Sequence, residues 1–389
     1  MPKIAEEMAS LRAYVEQRDF AGYDPFDALN SPLLRTACMG NKWARIACIQ
    51  FLRRFPVNVR PGLLIPKGHN PKALGLFLEG YARLYSLDPN DDYLDTIRRL
   101  IGYLQATKSA TASGHGWGYN FDWQSRAFFV PKFTPTIVNS AFVGHALLDV
   151  AEARLDSRAL DLALPVGDFI LNDLHRVVEG DTFCFCYTPR DRYAVHNASL
   201  LGASFLIRLW KLSGRAALRD AALPALAYSM RHQRKDGSWY YAERAGSHWI
   251  DSFHTGFNLE AARRFTRAGE GGEWLEHYGR GRAYYRDNFF LADGTPKYYH
   301  DRVYPIDIHS PAQAVAFFSE EGGDHLALAD QVLAWMMKNL RDKKGYFHFR
   351  KSPRFTNRIP YMRWGQAWAF RALVAWHAAR CGRDQGTPS

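Results

Sequence analysis

The sequence predicts an all-α fold of helical hairpins that stand side by side and close into a ring, with short β-hairpin-like turns at one mouth. Three observations carry this expectation. First, a turn bearing glycine beside tryptophan, tyrosine or phenylalanine recurs: GHGWGYNFDW (114–123), EGDTFCFCYTPR (179–190), DGSWYYAER (236–244), DGTPKYYHDR (293–302) and KGYFHFR (344–350). Its interval of roughly 50–65 residues lies in the range of structural repeats. Second, an amphipathic stretch precedes each turn, as in DDYLDTIRRLIGYLQ (91–105) and HLALADQVLAWMMKNL (325–340). Apolar residues three and four apart give such a helix one buried stripe. Third, a more apolar stretch rich in Ala, Gly and Ser follows each turn, as in TIVNSAFVGHALLDVAEA (136–153) and GQAWAFRALVAWHA (365–378). Small residues suit a helix crowded on every side.

The remaining elements follow the same alternation. EEMASLRAYVEQ (6–17) is the first outer helix and NPKALGLFLEGYARLY (70–85) the first inner one, with an extra apolar segment, KWARIACIQFLRRF (42–55), between them. DLALPVGDFILNDLH (161–175), AALRDAALPALAYSMRHQ (216–233) and EWLEHYGRGRAYYRDNFF (273–290) are further outer helices. NASLLGASFLIRLW (197–210), FHTGFNLEAARRF (253–265) and SPAQAVAFFS (310–319) are their inner partners. About six hairpins result, each burying its apolar face against its neighbours. Residues 1–389 therefore read as a single domain, with 1–60 an N-terminal extension plus first hairpin and 382–389 a flexible tail. An open solenoid is the alternative; the ring is favoured because the terminal repeats are not polar caps.

Composition narrows the function classes. Hydrophobic residues at 47% and charged residues at 23% are those of a globular protein, and 14% aromatic is unusually high. A net charge of +11 and a pI near 9.4 favour anionic partners, among them uronate or sulfate polymers, phosphates, nucleic acid and acidic lipid. The basic residues form no consecutive block, which disfavours nucleic acid. The start, MPKIAEEMASLRAYVEQRDF, carries acids and no apolar run, so a cytoplasmic protein without signal peptide or membrane span is expected. Five scattered cysteines argue against a disulfide framework, and no zinc-ligand spacing is present. FCFCYTPR (183–190) reads as a strand with Cys184 and Cys186 on one face. No metal or cofactor is expected.

On this repeat the chain resembles the six-hairpin (α/α)6 toroids, a superfamily that includes unsaturated glucuronyl hydrolases, N-acylglucosamine 2-epimerases, several polysaccharide lyases and, more distantly, terpenoid cyclases. The sharpest local match is RWGQAWAF (363–370), which is similar to the Arg-Gly-Gln-Ala-Trp segment of glucuronyl hydrolases with Trp364 inserted. The resemblance implies that Arg363, Gln366 and Trp368 contact substrate. The chain is also similar to bacterial proteins of unassigned activity associated with surface-polysaccharide genes, which implies glycan metabolism. QRKDGSWYY (233–241) matches the Gln-Trp motif of triterpene cyclases through Gln233, Gly237 and Trp239; that motif is a packing device. The cyclase reading is disfavoured, since an Asp-x-Asp-Asp run is absent and DDYLD (91–95) is explained by acids at a helix start.

In a ring of hairpins the first turns of the inner helices face one cavity. The candidates there are Asp122 with Trp123 and Gln124, His196 with Asn197, Asp251 with His254, Asp307 with His309, and Tyr361 with Arg363 and Trp364. Taken singly, an aspartate before a helix is as readily an N-cap, and a lone histidine on an inner helix is more often a core residue. Their recurrence at one level, in DSFH (251–254) and DIH (307–309), argues for a site. Asp251 and Asp307 could supply the carboxylate pair that glycoside hydrolysis needs, with Asp122 as a further carboxylate. His254 and His309, with His196 and Tyr361, could instead move a proton beside a carbonyl, as an epimerase or lyase does.

Trp117, Trp123, Trp239, Tyr240, Trp249 and Trp364 would offer flat faces to pyranose rings. Packing between repeats is the plainer role, and the better one for Trp239. Arg126, Arg190, Arg302, Arg358 and Arg363 would pair with uronate or sulfate groups. The first functional expectation is a glycoside hydrolase acting on an acidic oligosaccharide or surface-glycan precursor. A sugar epimerase or lyase is the alternative within enzymes, and a non-catalytic glycan-binding or assembly protein the alternative outside them.

Overall fold

The computed structural model describes residues 2–125 and 129–384. The chain opens with α1 (Pro2–Glu16), two inserted helices, α2 (Pro32–Ala37) and α3 (Lys42–Arg54), then α4 (Pro71–Leu87) and α5 (Asp91–Thr107). There follow α6 (Ile137–Glu152), α7 (Arg158–Asp168), α8 (His196–Ser213), α9 (Ala216–Arg231), α10 (Ser252–Arg267) and α11 (Leu275–Phe289). Helices α12 (His309–Glu321), α13 (His325–Leu340) and α14 (Trp368–Asp384) complete the series. Thus the backbone of the expected tail at 382–389 is helical through residue 384, and 385–389 lie outside the described residues.

Contacts divide the chain into two compact units. One comprises Met1–Thr107, Gly118–Thr134 and Tyr304–Ser389; the other comprises Lys108–Trp117 and Pro135–Val303. In the first, α4, α14 and α12 lie side by side, backed by α5 on α4, α13 on α12 and α1 on α14. In the second, α6, α8 and α10 lie side by side, backed by α7, α9 and α11 respectively. Burial separates the two helix types as the sequence pattern predicts. Helix α6 buries 13 of its 16 residues and α12 11 of 13, whereas α5 buries only 5 of 17 and α11 4 of 15. Helices α4 and α14, the first and last of the inner set, are neighbours; in an open solenoid the end repeats stay apart.

Local chemistry fixes where the inner helices begin. Asn70 accepts from Lys72 N–H with Pro71 at the first helical position, Thr136 accepts from Asn139 N–H, and Asp251 accepts from His254 N–H. Each cap satisfies an otherwise orphaned amide and is worth about 1 kcal/mol. The turns ahead of these helices are short antiparallel pairs. In the second unit β1 (Ser109–Ala110) pairs with β2 (His115–Gly116), and β5 (Arg176–Glu179) with β6 (Thr182–Phe185). In the first, β3 (Trp123–Gln124) pairs with β4 (Phe129–Val130). A three-stranded sheet there joins β7 (Ile306–Asp307), β8 (Arg350–Lys351) and β9 (Thr356–Asn357), with Asp307 opposite Arg350.

The Gln-Trp segment is the packing clasp the sequence suggests. Gln233 Nε2 donates to the carbonyls of Gly237 and His277, and Trp239 Nε1 donates to Ser229 O. Gly237 sits at φ +90°, and a Cβ there would stand 2.5 Å from Arg280 O, so only glycine fits. The strand expected at 183–190 ends at Phe185, so only Cys184 of the expected same-face pair lies on it; both cysteines are buried. The five cysteines form no disulfide.

Candidate active site

The second unit holds an Asp–His pair with one half open. Asp251 is the N-cap of α10 and is buried, and His254 sits three residues on, in the first turn. A side chain at that position folds back toward the cap. His254 Nδ1 lies 2.7 Å from Asp251 Oδ2, while Asp251 Oδ1 accepts from His254 N–H at 3.0 Å. The ionised carboxylate accepts only, so Nδ1 carries the proton and the Nε2 lone pair is left unused by the described residues. Trp249 Nε1 also donates to Asp251 Oδ2, at 3.2 Å. Its indole stacks on Tyr241 with centroids 4.5 Å apart and planes 16° from parallel. Trp249 is 38% exposed, and the imidazole is 23% exposed over a carboxylate only 1% exposed.

His254 and Asp251 line a small cleft with Asn197, Tyr240, Tyr241 and Asn258. It has room for about one water molecule, which is the size of a hydroxyl or carbonyl oxygen. The Oδ1 atoms of Asn197 and Asn258 are buried with no hydrogen-bond partner. Buried amides ordinarily find partners, so these two acceptors suit a donor from outside the protein. Asn258 and Glu243 were not singled out in the sequence. Glu243 lies 2.7 Å from His196 Nε2, with Ser229 Oγ 3.2 Å from the other ring nitrogen. Burial pushes the His196 pKa below its usual value despite Glu243, and the bond from His196 holds the Glu243 carboxyl below its own. A neutral imidazole donating to an ionised carboxylate satisfies both. His196, expected as a substrate contact, is buried and ties the 240s loop to α9 through Glu243 and Ser229.

The first unit treats the second Asp–His pair differently. Asp307 is fully buried and accepts from Trp364 Nε1 at 2.5 Å, Arg350 Nη2 at 2.9 Å and His309 N–H at 3.1 Å. Both oxygens are occupied, so the expected catalytic carboxylate is a structural anchor. His309 is buried between two indoles, 4.2 Å from Trp368 and 4.9 Å from Trp364 by ring centroids.

The RWGQAWAF segment also takes a structural role. Residues Met362–Ala367 form a π-helical turn ahead of α14. Arg363, expected on substrate, pairs with Asp24 through Nε at 2.6 Å and Nη2 at 2.8 Å, both partners buried. Gln366 joins the Phe347 amide and carbonyl, at 2.8 and 2.9 Å. Trp368 and Tyr361 are fully buried; burial pushes the Tyr361 hydroxyl far above its ordinary pKa.

The glycine-tryptophan stretch at 114–126 is likewise internal. Trp117 is fully buried and presents no open face to a ligand. Gly114 is required by packing, since a Cβ there would stand 2.1 Å from Pro165 O. Asp122 accepts from Lys132 N–H at 2.8 Å across the β3–β4 hairpin. Trp123 packs on the small core around Leu29 and Ile49, and Gln124 Nε2 donates to Ser125 O. Of the arginines expected on acidic groups, Arg190, Arg302 and Arg358 are exposed, and Arg126 lies outside the described residues. Among the described residues no three His, Cys, Asp or Glu side chains converge as a metal site, and no helix is long and apolar enough to cross a membrane.

No protein-family profile and no curated protein sequence matches the chain. Solved structures do. A cellobiose 2-epimerase from Bacillus thermoamylovorans superposes with a TM-score of 0.64 at 11% identity, over 81% of this chain and 90% of that one. A GH76 α-mannanase from Bacteroides thetaiotaomicron gives 0.62 at 12% identity, over 82% and 88%. An unsaturated glucuronyl hydrolase specific for heparin gives 0.56 at 13%, over 80% and 87%. These are (α/α)6 toroid enzymes, and the fold of this chain is the (α/α)6 toroid.

Proposed function

We propose that the chain is a carbohydrate-active enzyme that moves a proton beside a sugar carbonyl, with Asp251 and His254 as its acid–base centre. The observation that supports this best is the 2.7 Å contact from His254 Nδ1 to Asp251, which leaves Nε2 as the base. Nε2 would take the proton from the carbon next to the carbonyl, leaving the electron pair on an enediolate. Rotation of the enediolate would turn its other face to the imidazolium, which returns the proton and gives the epimer; expelling a β-oxygen substituent, protonated by the imidazolium as it leaves, would instead give a lyase product. Imidazole suits both directions because its free nitrogen can take a proton and give it back, and Asp251 would stabilise the imidazolium that forms. Asn197 and Asn258 would accept from substrate hydroxyls, and the Trp249–Tyr241 stack would carry a pyranose face. The likeness to a cellobiose 2-epimerase agrees with this reading. The net charge of +11 favours an acidic oligosaccharide or a surface-glycan precursor as substrate.

Glycoside hydrolysis is the weaker reading, because it needs two working carboxylates and Asp307 has both oxygens taken by donors. The test is incubation in deuterium oxide with reducing and uronate-terminated oligosaccharides, followed by proton NMR and a reducing-end assay. Loss of a carbon-bound proton signal is expected, without new reducing ends for an epimerase and with a new vinyl proton for a lyase, and His254→Gln should slow it by about 10²–10⁴-fold. New reducing ends with neither exchange nor the vinyl proton of an unsaturated product would establish hydrolysis. Saturable binding with neither would establish a glycan-binding protein.

A further inference from the structure

Residues 31–68, the insertion between α1 and α4, contain seven basic residues (Arg35, Lys42, Arg45, Arg53, Arg54, Arg60 and Lys67) and no acidic one. The same segment is the most apolar exposed surface of the chain. Six of the fifteen large hydrophobic side chains exposed among the described residues, Leu33, Met39, Trp43, Phe51, Val57 and Leu64, fall within it. An even spread would put between about one and two there, so this is a concentration rather than the scatter normal on soluble proteins.

Helix α3 explains the arrangement. Ile49 and Leu52 face inward, onto a small core with Leu29, Cys38 and Ile65. Trp43, Ala47, Phe51 and Arg54 are exposed, at intervals of four, four and three that place them on one opposite face. Trp43 is 66% and Phe51 58% exposed. Two turn residues extend the patch: Met39 and Leu64, 88% and 61% exposed, hold left-handed backbone at φ +41° and +55°. That conformation is uncommon outside glycine, and it is worth a functional explanation when the residue is large and apolar. The β8–β9 hairpin joins the same surface, since Asn357 Nδ2 donates to Phe55 O at 3.2 Å. It adds exposed Phe355, Arg354 and Arg358. Arg35, Lys42, Arg54, Arg354 and Arg358 form no ion pair with any described residue.

We infer that α2, α3 and the β8–β9 hairpin form a docking face for an anionic lipid bilayer. Apolar aromatic and aliphatic side chains flanked by unpaired cations are the chemistry of a helix that lies in the membrane interface, and each juxtamembrane cation adds attraction to acidic headgroups. A purely electrostatic partner such as a polyanion would use the cations and leave Trp43, Phe51 and Met39 in water. A second copy of this chain would set like charges against each other.

The full chain should sediment with vesicles holding about 30% phosphatidylglycerol and not with neutral phosphatidylcholine vesicles. Raising salt from about 0.1 to 0.5 M should weaken the binding. Trp43→Ser with Phe51→Ser should lower partitioning at least about tenfold and leave thermal unfolding unchanged, as both side chains are exposed. Lys42→Glu with Arg54→Glu should lower it as well and flatten the salt dependence, an independent check on the same face. The inference is overturned if anionic vesicles bind no more chain than neutral ones. It is also overturned if the serine pair leaves binding unchanged, or if the chain is a solution dimer that the serine pair dissociates. Lipid partitioning is read without any sugar, so its failure and that of the proposed activity are separate results.

Discussion

Asp251 and Asp307 precede inner helices in near-identical sequence settings, yet one ends in a half-open pair with an imidazole and the other in a sealed cage. The difference is one residue of spacing. In DSFH the aspartate is the cap itself, with extended backbone (φ −123°, ψ 160°), and the histidine lies three positions on, where a first-turn side chain meets the cap. In DIH the cap position belongs to Ile308. Asp307 remains on β7 opposite Arg350, and His309, two residues on, offers it only a backbone N–H while its ring lies between Trp364 and Trp368. The same pair of residue types therefore makes a half-open Asp–His contact in one unit and a fully bonded, buried carboxylate in the other.

The largest effect that would break this contrast is on catalysis. His254→Gln should lower the rate of proton exchange by about 10²–10⁴-fold with an unchanged unfolding midpoint, whereas His309→Gln should mainly lower the midpoint. If calorimetry and NMR exchange rates give the reverse pattern, the two roles are interchanged. Next in size is the cage. Asp307→Ala takes a buried carboxylate away from the partly exposed Arg350 and from Trp364 Nε1 and should destabilise the chain by about 3 kcal/mol in denaturant titrations. Asp251→Ala removes a cap and should cost about 1 kcal/mol, with exchange falling as His254 loses its orienting partner. Equal stability losses at the two positions would remove the distinction.

Much of the fold was legible because it rests on local patterning. The alternation of striped and uniformly buried helices, and the glycine-aromatic turns between them, follow from periodicity and composition alone. The candidate site was legible only as a set of residue types. Asp251 and His254 meet because cap geometry is local and the sequence states the spacing; Asn197 reaches the same cleft through the packing of α8 on α10. Arg363, Trp364 and Gln366, expected on substrate, bond to Asp24, Asp307 and Phe347, which lie far away in sequence, and no pattern within the motif announces those partners. Trp117 was placed at a rim for a similar reason: glycines beside an indole signal close approach, and here the approach is to the protein's own interior, with the Trp117 amide donating to Ser140 Oγ. Asn258 and Glu243 carry no sequence signal, since a lone amide within a helix and an acid in a turn are ordinary.

The smallest expected effect sharpens the comparison through pH. His196, buried in the second unit, has its pKa lowered by burial first, with Glu243 opposing; His115 and His277 are lowered for the same leading reason. A histidine with a depressed folded pKa binds fewer protons folded than unfolded in the window between that pKa and its ordinary value of about 6.5. Stability then rises with pH in that window: the contribution is complete above about pH 6.5 and is lost as pH falls through the folded pKa. All three residues lie in the second unit, so acidification from about pH 7.5 to 5.5 should lower the unfolding midpoint through that unit. His196→Gln should make the decline shallower without abolishing it, because His115 and His277 still contribute. Hydrogen exchange followed across the same pH range should show protection lost first around α8 and α9, whose packing His196 bridges through Ser229. Loss beginning instead in α12 and α14 would place the acid-sensitive histidine in the Asp307 cage, with His309 rather than His196 taking up the proton.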